Sequence, residues 1–258
     1  MITKKALAAA IGSIIALSVN TSSPALANIN GSNPTILNAP LDYLYQIDTD
    51  IEVLTNNPEI YVVNTNDGSL ALDMNARSLA DTTFIRYDRQ TDNFSFSIDG
   101  ALTTLNAPLI HLSNSDPSSV AIDIGSSAIG SKRATTLTSN NQVLLVEDTM
   151  KGILTLHRGS TMHSINDAAI EFSSAGLMNP LANFVIYGTV SSNQDTAIDF
   201  SQAQSGLRML VEGGQITGDI LGASNHNDTL TIIDGSIVQG DIIDVNTLNL
   251  GGGSNNHY

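Results

Sequence analysis

The chain contains no cysteine and no tryptophan, and aromatic residues make up only 5% of it. Of its 258 residues, 10 are lysine or arginine against 25 aspartate or glutamate. Without cysteine there can be no disulfide framework, thiolate metal site or cysteine nucleophile. A formal net charge of −15 argues against nucleic acid and anionic membrane surfaces as partners. It leaves divalent cations and basic partners open. None of the five histidines, His111, His157, His163, His226 and His257, belongs to an H-E-x-x-H pair, and no G-x-S-x-G nucleophile elbow is present. GSSAIGSK (Gly125 to Lys132) puts serine before lysine, the reverse of a phosphate-binding loop. No catalytic, cofactor-binding or metal-ligating residue is therefore assigned, and neither catalysis nor a cofactor is expected.

The first residues read as a targeting segment. Lys4 and Lys5 precede an apolar run from Ala6 to Val19, and Ala25-Leu26-Ala27 forms an A-x-A site, so cleavage is expected before Asn28. A membrane anchor needs about 20 apolar residues, and this shorter run is followed by the polar residues 20–23 and Pro24. Removing residues 1–27 takes Lys4 and Lys5 away. The 231 remaining residues then carry 8 basic against 25 acidic side chains, a formal −17.

What is present is repetition. VEGGQITGDI (Val211 to Ile220) returns as IDGSIVQGDI (Ile233 to Ile242), and TLTIIDGS (Thr229 to Ser236) returns as TLNLGGGS (Thr247 to Ser254). The two offsets, twenty-two and eighteen, bracket a drifting period. A period of about 20 is too short for a helical pair or a propeller blade and fits one coil of a β-solenoid. Leu230 and Ile232 alternate inward, and Asp234-Gly235-Ser236 and Gln239-Gly240-Asp241 read as turns. LTLHRGS (Leu154 to Ser160) resembles LTIIDGS (Leu230 to Ser236). LNAPL recurs at Leu37 to Leu41 and Leu105 to Leu109, an offset read as about three coils. A further pattern joins Ala71-Leu-Asp-Met74, Ala121-Ile-Asp-Ile124, Ala169-Ile-Glu-Phe172 and Ala197-Ile-Asp-Phe200, with Leu72/Met74, Ile122/Ile124, Ile170/Phe172 and Ile198/Phe200 inward and the acid outward. No amphipathic helix is evident after the leader. The scarcity of aromatics points to an interior of small aliphatic side chains.

Two features bear on chemistry. Glu171 and Asp199 are expected one coil apart on the same outer face, where facing carboxylates repel unless protonated or bridged by a cation. A carboxylate pair of that kind serves polysaccharide cleavage, yet the acid recurs with the coil while a catalytic pair need occur only once. Asn227-Asp228-Thr229-Leu230 ends like a calcium-binding nonapeptide repeat, but occurs a single time. Lys132, Arg133, Lys151 and Arg158 are the densest cationic group.

GQITGDI (Gly214 to Ile220), NDTLTI (Asn227 to Ile232) and the Ala-Ile-Asp-Phe runs together resemble passenger regions of Gram-negative autotransporters, most clearly over residues 120–258. That resemblance implies an all-β chain forming a right-handed parallel β-helix, with a less regular N-terminal capping region at residues 28–100 after the leader and β-helical repeats over residues 101–258. It implies an exported cell-surface or secreted module, structural and adhesin-like, with a host-cell or matrix ligand on the solenoid face. It also implies an outer-membrane β-barrel downstream. Nothing after Gly253 reads as barrel strands, so a C-terminally truncated frame is the favoured expectation over secretion without an anchor. Two other readings stay open: a β-helical enzyme acting on polysaccharide, and a calcium-responsive extracellular protein.

Overall fold

Short runs of alternating apolar side chains, broken by Gly, Asn and Asp, favour strands over helices. The computed structural model describes residues 27–29, 35–37, 43–47, 51–53, 59–63, 68–78, 83–87, 94–113, 119–125, 134–147, 151–173, 183–203, 206–224 and 227–251, through residue 69 by backbone. These residues form 25 strands and no helix, in sheets of 16 and 9 strands. Strands pair in parallel throughout the described residues, as in Thr136 to Ser139 on Ala101 to Thr104.

The strands fall into nine rungs of three. First positions are Ala27–Ile29, Ile51–Val53, Ala76–Ser78, Ala101–Thr104, Thr136–Ser139, Thr161–Ser164 and, in the ninth rung, Ile237–Gln239. Second positions are Thr35–Leu37, Glu59–Val63, Thr83–Tyr87, Ile110–Leu112, Leu144–Val146, Ile170–Phe172 and, in the ninth, Ile242–Ile243. In the seventh and eighth rungs one strand, Thr189–Asp199 or Gln215–Leu221, serves both positions. Third positions are Tyr43–Ile47, Gly68–Asp73, Phe94–Asp99, Ser119–Ile124, Lys151–Leu156, Asn183–Ile186, Arg208–Glu212, Thr229–Ile233 and Thr247–Gly251. Third positions pair only with third positions and form the 9-stranded sheet. A rung cannot bury its own apolar side, so successive rungs stack about 4.8 Å apart. Rung length varies from eighteen residues, as between Thr231 and Asn249, to thirty-five, as between Thr104 and Ser139, the surplus lying in the connections.

The core follows from that register. In the third position Leu70, Phe96, Ile122, Leu154, Phe184, Met209 and Leu230 form one inward column. Leu72, Ile98, Ile124, Leu156, Ile186, Val211 and Ile232 form a second, and every member of both is at most 3% exposed. Aromatics are few, and most of those with described side chains point inward. Phe84, Phe96, Phe172, Phe184 and Phe200 are buried, Tyr87 meets Phe96 edge-on at 5.9 Å, and Phe172 lies 5.8 Å from Phe184. The expected aliphatic interior holds for most of the core among the described residues, and the rings are the exception to it.

The repeat at Thr229/Thr247 is a true register, and the repeat at Val211/Ile233 becomes one from Gln215 on Ile237 onward, whereas Val211 itself pairs with Ile232. Leu154 and Leu230 lie in one column, three rungs apart. The inward assignments at Leu72/Met74, Ile122/Ile124, Ile170/Phe172 and Ile198/Phe200 hold. The four-fold Ala-x-acid-x pattern does not: Asp73 and Asp123 lie in third positions, Glu171 and Asp199 in second positions, and Ala71 shares its column with Asp123, not Ala121. LNAPL fails as well, because Leu37 follows the column Val63, Tyr87 and Leu112, not Leu105. Residues 38–41 of its first copy lie outside the described residues, as do residues 1–26 of the leader. The same pairing order runs through both sides of residue 100.

Candidate functional site

A hydroxyl ladder fixes the connection between first and second positions. Thr104, Ser139 and Ser164 end first-position strands, Ser192 holds the equivalent place within Thr189–Asp199, and all four are buried. The Ser139, Ser164 and Ser192 hydroxyls donate to the carbonyls of Ala107, Asn141 and Asp167, each in the preceding rung, at 3.0, 2.5 and 2.7 Å. They accept from the backbone N–H of Asn141, Asp167 and Gln194. A hydroxyl thus takes the place of water for polar backbone that a turn leaves unpaired.

That connection brings the predicted carboxylates together. Glu171 is the register partner of Asp199. The Gln142 side-chain amide donates to Asp167 Oδ2 at 2.8 Å and to Glu171 Oε2. Burial pushes the Glu171 carboxyl above its ordinary value of 4.5; the Gln142 hydrogen bond pulls it down, and Asp167 and Asp199 push it up again. Among the described residues no group of three His, Asp or Glu could hold a metal ion. The arrangement sets two carboxylates in register, with the Glu171 carboxyl shifted upward chiefly by burial.

A raised carboxyl pKa means that the folded state binds the proton more tightly than the unfolded chain. Its contribution to stability is therefore complete below 4.5 and is lost as pH rises through the folded value. Glu171→Gln keeps an acceptor for Gln142 and removes the repulsion. It is expected to raise the melting temperature at pH 7 by about 1–4 °C, from roughly 0.5–1 kcal/mol of like-charge relief. The gain should vanish at pH 4, a comparison made by melting both proteins at each pH.

The calcium-like ending has a structural occupation. Asp228 is fully buried, and its two carboxylate oxygens accept the backbone N–H groups of Leu207 at 2.9 Å and Ala223 at 2.8 Å. Asp228→Ala leaves both donors unpaired in the interior. A loss of about 2–5 kcal/mol is expected, read from denaturant unfolding, with Asp228→Asn losing less because one acceptor survives.

A groove of about 380 Å³ lies where the third position turns back to the first, lined by Gly125, His157, Arg158 and Tyr187. These residues end rungs four, five and six, so the groove runs along the stack. Its lining includes one corner glycine, Gly125. Gly125, Gly159 and Gly213 have φ of 76°, 79° and 62°, and a Cβ on Gly125 would strike Ser160 Oγ at 1.8 Å. His157 Nε2 lies 3.3 Å from Asp123 Oδ1. Of the cationic group, only Arg158 has a described side chain. Lys132 and Arg133 lie outside the described residues, and the Lys151 backbone pairs with Ser119. His163 Nδ1 is 2.9 Å from Ser191 Oγ. His111 Nε2 is 2.8 Å from Glu147 Oε2 but off the line of a hydrogen bond. His226 and His257 lie outside the described residues.

Sequence reading found the Glu171/Asp199 column and missed both the ladder and the groove. The ladder had a usable signal, a Ser or Thr at the sixth place before Ile110, Ile170 and Ile198. The groove had none, since its residues come from separate rungs. No protein-family model, curated protein or solved structure matches this chain.

Proposed function

We propose that this chain is an exported, non-catalytic passenger module of the autotransporter kind, displayed at the cell surface or secreted, acting as a stiff adhesin-like stack with a lateral ligand-binding face. Its proposed architecture is a right-handed parallel β-helix, because crossovers between parallel strands are right-handed in about 98% of cases. The observation that carries the reading is the uninterrupted pairing of every third position through nine rungs. Such a rod exposes a long, regular flank and no enclosed cleft. Charge −15, the lack of cysteine and the N-terminal leader pattern accord with an exported protein that holds itself together by stacking. A downstream outer-membrane barrel is part of the proposal.

The test is to fractionate producing cells and determine the N-terminus of the product. A chain beginning at Asn28, accessible to protease on intact cells or present in the medium, supports the proposal. An unprocessed chain in the cytosol refutes it. A second reading, a polysaccharide-cleaving enzyme, draws on the register pairing of Glu171 with Asp199 and on the upward shift of the Glu171 carboxyl, caused first by burial. It requires sugar release that Glu171→Gln and Asp199→Asn both abolish.

A further inference from the structure

We infer that the groove at Gly125, His157, Arg158 and Tyr187 is a binding site for a carboxylated saccharide, a uronate unit within an extended acidic glycan. The guanidinium of Arg158 has no hydrogen-bond or ion-pair partner among the described residues, although the chain is rich in acids. The Tyr187 hydroxyl is likewise without a partner there. Arg158 is exposed, but it does not stray into solvent: its Nη2 lies 3.2 Å from where a Cβ on Gly213 would stand, two rungs further along. The absence of a side chain at Gly213 lets the guanidinium lie against the corner.

Three side chains with different capacities line the groove. Arg158 offers a planar fork matched to a carboxylate. Tyr187, half-buried with its backbone N–H donating to Leu156 O at 2.8 Å, offers a ring edge or face and a hydroxyl. His157, oriented by Asp123, offers a ring nitrogen to a sugar hydroxyl. Because the lining residues come from successive rungs, the ligand's long axis follows the stack. A neutral sugar would leave the guanidinium unused and a polycation would meet it with like charge; the net charge of −15 opposes an acidic ligand at long range, so the attraction is confined to the Arg158 contact.

The inference rests on the ligand-binding part of the proposal above and names its ligand class. Export is tested separately by the processed N-terminus, so failure of one is distinct from failure of the other. The experiment is isothermal titration of the mature chain with tetragalacturonate and with cellotetraose, for the wild type, Arg158→Gln, Tyr187→Ala and, as a distant cation control, Arg208→Gln. Binding of tetragalacturonate that weakens about tenfold or more in Arg158→Gln and in Tyr187→Ala and survives in Arg208→Gln bears the inference out. It is overturned by absence of binding in wild-type protein that keeps its β circular dichroism, by equal binding in Arg158→Gln, or by equal affinity for cellotetraose.

Discussion

Replacing Ile232 by aspartate is expected to cost several kcal/mol and to unravel the eighth and ninth rungs together. Ile232 is fully buried between Val211 of the preceding rung and Leu250 of the next. Its column is aliphatic on both sides, so the new carboxylate must either be desolvated unpaired or take up a proton. Either course consumes a large part of the roughly 5–15 kcal/mol that holds a domain together. Because a stacked chain is stabilised mainly by neighbour contacts, damage should spread along the axis before it reaches distant rungs. Hydrogen exchange should show lost protection over residues 229–251 and retained protection over 119–172. Unchanged melting in Ile232→Asp would mean that the side chain does not point inward.

The second large effect is expected at Gly100. Its φ is 106°, and an added Cβ would lie 2.2 Å from the Met74 carbonyl oxygen, a backbone atom that cannot swing away. Gly100→Ala therefore combines about 1–3 kcal/mol of backbone strain with a forced separation of the second and third rungs. Gly159→Ala is the matching control. Its φ of 79° carries comparable strain, but nothing lies within 4 Å of its added Cβ. Thermal melts should place Gly100→Ala well below Gly159→Ala, with Gly159→Ala within about 1–2 kcal/mol of the wild type. Equal losses would remove the close approach between rungs from the explanation.

Much of the register was legible because it is written locally. TLTIIDGS and TLNLGGGS share their opening residues, and their strands pair residue on residue. LTLHRGS and LTIIDGS mark one column because both close the third position at a glycine with positive φ followed by an inward serine, Ser160 and Ser236. Alternation alone placed Ile122, Ile170 and Ile198 inside. It could not say which of three positions a strand occupies, because inward-outward alternation is the same in all of them. Ala121-Ile-Asp-Ile124 and Ala169-Ile-Glu-Phe172 therefore read as equivalents although they belong to different sheets. Connections of variable length hide the period further, since the rung from Ala101 to Thr136 is almost twice as long as that from Thr229 to Thr247. The carboxylate pair was legible because Glu171 and Asp199 sit in matching words. The groove was not, because it is assembled from three rung ends whose local sequences differ.

Two spin labels, at Thr103 and Gln239, test the stack most directly, and a chain without cysteine accepts them at engineered cysteines without interference. The two residues belong to one outward column through Thr138, His163, Ser191 and Thr217, five rung steps apart. Five steps of about 4.8 Å predict a narrow distribution near 24 Å between the labelled backbones, although more than half the chain separates them in sequence. A narrow distribution near that distance is the result the account requires. A broad distribution, or a mean beyond about twice that value, would contradict parallel stacking of the rungs.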